Sequence, residues 1–179
     1  MASIITATTT SGLTQSADNS GVLQLASGTG NLVTVPSVTG TAMVSGNMPA
    51  FSAYLGSNQS ATNVWQKVQI NTEEYDTASC FDTTNYRFTP NVAGYYQINA
   101  SQIQSSSTNR MLLGLYKNGT IFKYGTDYTT GSTIGVLSTT VYANGSTDFF
   151  EFWIFSGGSV TLNGGNPNSF FQACLVRAA

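Results

Sequence analysis

Few side chains here are of a type and spacing that could do chemistry. The densest titratable cluster is Glu73, Glu74, Asp76 and Asp82. Paired carboxylates can move protons at a glycosidic bond or ligate calcium. The ligand spacing of an EF-hand loop is missing, so the cluster reads as a solvated loop in which Asp76 makes a local turn hydrogen bond. The chain has no histidine. That removes Ser-His-Asp and Cys-His catalysis and imidazole metal ligation. Cys80 and Cys174 are the only cysteines, too few for a zinc finger or an iron–sulfur site. Each reads as a small buried apolar residue rather than half of a bridge, with the pairing left open. No enzyme, cofactor or metal is expected.

Charged residues make up 8% of the 179 residues, and the formal net charge is −2. An average soluble protein carries about 25% charged residues. The basic residues Lys67, Arg87, Arg110, Lys117, Lys123 and Arg177 are scattered singly. Without a basic stripe, electrostatic binding of nucleic acid is not expected. There is no long apolar run to insert in a membrane and no secretory leader at the start. The opening Met gives the expectation of a complete chain.

Composition shifts near residue 50. Residues 1–50 hold no aromatic side chain and one charge, Asp18, while all 21 aromatics lie at Phe51 or beyond. Residues 1–48 therefore read as an arm that needs a partner surface to be stable, the other reading being a flexible leader. Its β-prone pieces hold Ile4 and Ile5, then Val22, Leu23 and Leu25, then Leu32, Val33 and Val35. Leu13 adds another apolar side chain to the arm. The last two pieces alternate apolar with polar, as half-buried strands do.

Residues 49–179 read as one domain of short strands with turn signals between them, and no stretch has helical period or caps. Lys117-Asn118-Gly119 is a hairpin signal. The richest strand is Asp148–Phe155, with Phe149, Glu151, Trp153 and Phe155 on one face and Phe150, Phe152 and Ile154 on the other. One face enters the core. The second needs cover from loops or from another subunit, and the subunit interface is the reading taken. The polar loops Ser105–Arg110 and Tyr124–Gly131 carry the Tyr, Asn and Ser that a carbohydrate or protein contact would use.

The spacing Asp76, Phe81, Phe88, Gly94, Tyr96 resembles the signature of the globular head domain of complement component one-q, among the tumour necrosis factor-like jelly rolls. Pro49-Ala-Phe-Ser-Ala53, Arg87-Phe-Thr-Pro90, Ala93-Gly-Tyr-Tyr96 and Leu115-Tyr-Lys-Asn-Gly119 agree with it, over about residues 49–177. Ile70 and Ile98 stand where that family usually has Phe, Ala100 replaces an aromatic, and 156–168 do not align. Gly94 reads as a bend that few side chains would allow. The resemblance implies an all-β, ten-strand, two-sheet jelly roll that forms a tight homotrimer. Residues 1–25 resemble the N-terminal segments of tail-fibre and other virion proteins of marine tailed phages. No Gly-X-Y run precedes the domain.

These features together predict a phage virion protein, assembled in the bacterial cytoplasm and displayed on the particle. The leading form is a trimeric capsid decoration protein, a cement or head fibre, whose arm contacts a virion protein such as the major capsid protein. The alternative is a short tail-fibre or spike tip that binds a host surface glycan or protein.

Overall fold

The computed structural model describes residues 48–105, 109–129 and 134–179, and the backbone of 23–26 and 32–35. The chain divides into two units, Met1–Gly40 and Thr41–Ala179. In the first, β1 (Leu23–Ala26) pairs antiparallel with β2 (Leu32–Val35), Leu23 opposite Val35 and Leu25 opposite Val33. The alternating pieces are thus strands of one hairpin. Ile4, Ile5, Leu13 and Val22 lie outside the described residues.

The second unit contains no helix among its described residues. Its strands are β3 (Ala50–Tyr54), β4 (Gln59–Ala61), β5 (Trp65–Lys67), β6 (Thr72–Asp76), β7 (Phe81–Asp82), β8 (Arg87–Phe88), β9 (Gly94–Ile103), β10 (Met111–Lys117), β11 (Thr120–Tyr128), β12 (Ile134–Ala143), β13 (Phe150–Ser156), β14 (Val160–Leu162) and β15 (Phe170–Ala178). One sheet runs β12-β9-β15-β3-β6. The other runs β11-β10-β13-β8-β7, with β5 also on β13. A small ladder joins β14 to β4.

Two stretches differ from the sequence reading. The acidic stretch is not a loop but β6, an edge strand paired only with β3 and bearing exposed Glu73 and Glu74. Charge at an edge is what keeps that edge from pairing with another chain. The unaligned 156–168 segment contains β14, whose Val160 and Leu162 are buried. Beyond β5, Val68 N–H continues the same register by donating to the Phe152 carbonyl, and Ile70 N–H then turns back to the Val68 carbonyl.

Period two places Phe150, Phe152 and Ile154 of β13 in the core, opposite Tyr96, Ile98 and Ala100 of β9 and Phe171, Ala173 and Leu175 of β15. The Asn118-Gly119 turn has φ values of 53° and 78°. Both central residues are left-handed, as the tightest hairpin turn requires.

Gly94 is needed for a different reason from the expected bend. Its φ is not left-handed. Instead a Cβ there would stand 2.3 Å from the Arg177 carbonyl oxygen and 2.8 Å from Leu175 Cδ1. The register between β9 and β15 shifts at Leu175/Arg177, which brings the two backbones together at this point. Overpacking of this kind costs about 1–3 kcal/mol. Gly94→Ala should therefore lower the urea midpoint by that amount of stability; an unchanged midpoint would show that β15 yields freely there.

Candidate functional site

Asp76 ends β6 and ties the turn that follows. Its Oδ1 accepts from Ala78 N–H at 3.1 Å and from the Cys80 thiol at 3.2 Å, and its Oδ2 accepts from Phe81 N–H at 2.7 Å. This is the local turn bond expected from the sequence. Its consequence is that Phe81 is delivered against Phe51, ring centroids 4.6 Å apart and nearly parallel. Phe88 lies 4.8 Å from Phe51 and meets Tyr96 edge-on at 5.4 Å. The Tyr96 hydroxyl donates to the Val92 carbonyl at 2.7 Å. The five motif residues thus do one structural job: a carboxylate shapes a turn, three rings pack, and Gly94 admits the last strand.

Both cysteines are free. Cys80 is buried, as read from the sequence. Burial, with the Asp76 carboxylate beside it, pushes its thiol well above the ordinary range. Cys174 departs from the reading: it is exposed, because it falls on the outer face of β15 between buried Ala173 and Leu175.

The second face of β13 finds cover within its own chain. Trp153 stacks on Tyr116 of β10 at 4.5 Å, and Trp65 of β5 packs on Tyr116, Phe155 and Tyr124. Glu151 is buried and pairs with Lys67 Nζ at 2.5 Å, while Trp153 Nε1–H donates to its other oxygen at 3.0 Å. Phe149 lies under the Arg87 guanidinium at 5.1 Å. Phe150 and Phe152 are core residues. Phe149, Trp153 and Phe155 are half-buried.

The free face of the other sheet has a different character. No charged side chain lies within 95–103, 134–142 or 170–176. Gln97 Nε2–H donates to Ser138 Oγ and Asn99 Oδ1, Ser138 Oγ–H donates to Asn99 Oδ1, and Thr140 Oγ1–H donates to Gln97 Oε1. Around this polar ladder stand exposed Ile134, Val136, Tyr95, Tyr142 and Val176. Sequence reasoning missed this face, since alternation shows which residues point outward but not which strands lie side by side.

The polar loops are described in part: 106–108 and 130–131 lie outside the described residues. Arg110 forms a two-pronged pair with Asp127, at 2.8 and 2.7 Å. Among the described residues no group of three His, Cys, Asp or Glu is placed to hold a metal, and no helix is long and apolar enough to cross a membrane.

The architecture is that of complement one-q and tumour necrosis factor-like jelly rolls. No family model matches the chain, and no curated protein matches it in sequence. Solved structures do match. The globular domain of zebrafish complement 1qA superposes with a TM-score of 0.56 at 19% identity, covering 73% of this chain and 98% of that one. Murine APRIL gives 0.60 at 9%, covering 72% and 99%. The PRD1 vertex protein P5 gives 0.56 at 16%, covering 72% and 97%. At such identities the shared property is the fold.

The Asn118 turn is locked by a second carboxylate. Asp148 accepts from Asn118 Nδ2–H and Asn144 N–H and pairs with Lys117 Nζ at 2.9 Å. Burial acts to raise its pKa, but the bonds from Asn118, Lys117 and Asn144 outweigh it and hold the group below the usual 3.8. A carboxyl lowered on folding contributes stability above its unfolded pKa and loses it as pH falls through the folded value. Asp148→Asn should cost about 1–3 kcal/mol at neutral pH and flatten the acid limb of the stability–pH curve below about pH 4. An acid limb as steep as in the parent protein would assign that loss to other carboxylates.

Proposed function

We propose that this chain is a virion structural protein of a tailed phage, a homotrimeric capsid decoration piece held to the particle by residues 1–48. The observation that carries the reading is the jelly roll shared with a phage vertex protein, behind an arm whose sequence is similar to phage virion leaders. The arm's hairpin, with its alternating Leu23, Leu25, Val33 and Val35, is a short two-stranded element. Such a hairpin is marginal alone and gains stability by packing against another surface. In this reading that surface belongs to a capsid protein, and assembly takes place in the bacterial cytoplasm. Immunogold labelling of intact virions with an antibody to the jelly roll tests the location. Gold over the head supports decoration; gold at the tail overturns it in favour of a fibre or spike tip. Deleting residues 1–45 should leave a folded trimer that no longer attaches to particles. An insoluble or monomeric product would make the arm part of the trimer's own core.

The trimer surface is assigned to the outer face formed by β12, β9 and β15, which carries no charge over 134–142, 95–103 and 170–176. Interface cores are depleted in charge and enriched in Tyr, and this face supplies both, whereas the β13 face already packs on Trp65, Tyr116 and Lys67. Cys174 lies on it and serves as a reporter. In the native assembly neither thiol should react promptly with Ellman's reagent, Cys80 because it is buried with a raised pKa and Cys174 because a neighbouring subunit covers it. Both should react in denaturant. Prompt reaction of one thiol in the intact trimer would move the interface elsewhere, the half-buried Phe149, Trp153 and Phe155 surface being next.

A further inference from the structure

A cleft of about 700 Å3 opens between residues 58–60, β5 with Gln69, and the 84–86 turn. Its walls are fixed by amide side chains. Gln59 Nε2–H donates to the Lys67 carbonyl and Gln59 Oε1 accepts from Gln69 N–H, both at 2.9 Å. Asn58 Oδ1 accepts from Gly164 N–H at 2.9 Å, which ties one lip to the 163–168 segment. On the other lip Asp82 accepts from Thr84 N–H, Asn85 N–H and Asn85 Nδ2–H. That turn holds Tyr86 at a φ of 55°, a left-handed backbone that an aromatic residue rarely adopts. Such a conformation persists where its surroundings over-determine it, and it is found disproportionately at ligand sites.

The cleft also holds unspent hydrogen-bonding capacity. Gln66 Oε1 is buried with no partner. A buried carbonyl left alone costs on the order of 1–3 kcal/mol. Tyr86, Ser60, Thr84 and Gln69 also line the cleft, the last three exposed so that their hydroxyls and amide can turn to a ligand. The one ionised group in the lining, Lys67, is neutralised at 2.5 Å by Glu151. An anion therefore gains no net charge to bind, and an apolar ligand would leave these amides and hydroxyls unmatched. A ligand that offers both donors and acceptors, carries no charge and spans several residues would match them. That describes a neutral polyol chain.

We propose that this cleft is a binding site for neutral oligosaccharide, with Tyr86, Gln66 and Gln69 as the principal hydrogen-bonding groups. The inference concerns a single chain and does not depend on where the protein sits on a particle, so its failure leaves the virion reading untouched. The test is a titration of the isotopically labelled full chain with uncharged glucan, mannan, galactan and chitin fragments, with a heparin fragment as the anionic comparison. Saturable shifts of the Gln66, Gln69 and Asn58 side-chain amide resonances with at least one neutral fragment, and none with heparin, are expected. Tyr86→Phe, which removes only an oxygen, should weaken that binding by roughly two- to tenfold, and Tyr75→Phe on the edge strand β6 should leave it unchanged. Shifts with heparin alone, shifts confined to residues outside the cleft, or no shift with any neutral fragment at millimolar concentration would each overturn the proposal.

Discussion

The two sheets of this protein are joined by a single aromatic cluster. Phe51 and Phe171 come from one sheet; Phe81, Phe88, Phe150 and Phe152 come from the other. Phe51 touches Phe81, Phe88 and Phe171, and Phe88 touches Phe150 and Tyr96. Six of these seven rings are at most 1% exposed. Burying one such side chain contributes about 1.5–3 kcal/mol, and removing one costs about 3–5. Buried Ile98, Leu113, Leu115, Ile154 and Leu175 extend the same core between the sheets, and the geometry of everything outside depends on this packing.

Its scarce charges work mostly as structural fasteners. Asp76, Asp82 and Asp148 accept backbone N–H groups at turns, Glu151 and Asp127 pair with Lys67 and Arg110, and Glu74 accepts from Ser52 Oγ–H at 2.6 Å. Within the Glu73–Asp82 stretch, Glu74, Asp76 and Asp82 are held in this way, and Glu73 stands exposed on the β6 edge. Turns built from side chains also explain why loops rich in Ser, Thr and Asn can be held in place: Asn144 Oδ1 alone accepts from the N–H groups of Ser146, Thr147 and Asp148.

Much of this was legible in the sequence. Period two in Phe149–Phe155 separated the two faces without saying which one enters the core, and Asn118-Gly119 marked its hairpin. The Asp76-to-Tyr96 spacing pointed to the jelly roll. Short strands such as Gln59–Ala61 and Val160–Leu162 were not legible, because three residues carry no measurable alternation and form only where a distant partner presents an edge. The same limit hid the cleft. Asn58, Gln66 and Tyr86 are scattered polar residues with no shared pattern until the fold brings three separate segments together. The self-cover of β13 was hidden too, since the pairing of Trp153 with Tyr116 depends on the β10–β13 register, which no local pattern encodes.

An all-β chain with this composition also has to keep its sheets from adding strands indefinitely. The β6 edge is guarded by Glu73 and Glu74. The opposite edge, β12, has no charge and uses a different device. Thr126 of β11 reaches across so that its Oγ1 accepts from Val136 N–H at 3.1 Å and donates to the Val136 carbonyl at 2.9 Å. One hydroxyl therefore occupies both backbone groups that another strand would use at that residue. Gly125 and Gly135 allow the close approach, since a Cβ on Gly125 would lie 2.8 Å from Val136 O and one on Gly135 2.7 Å from Leu113. The two edges of this sheet are thus guarded at Glu73 and Glu74 on β6 and at Val136 on β12. A face can be covered by a fixed number of copies, whereas an open edge can recruit strands without limit. Guarded edges and an uncharged face on β12, β9 and β15 are both compatible with the closed assembly proposed above.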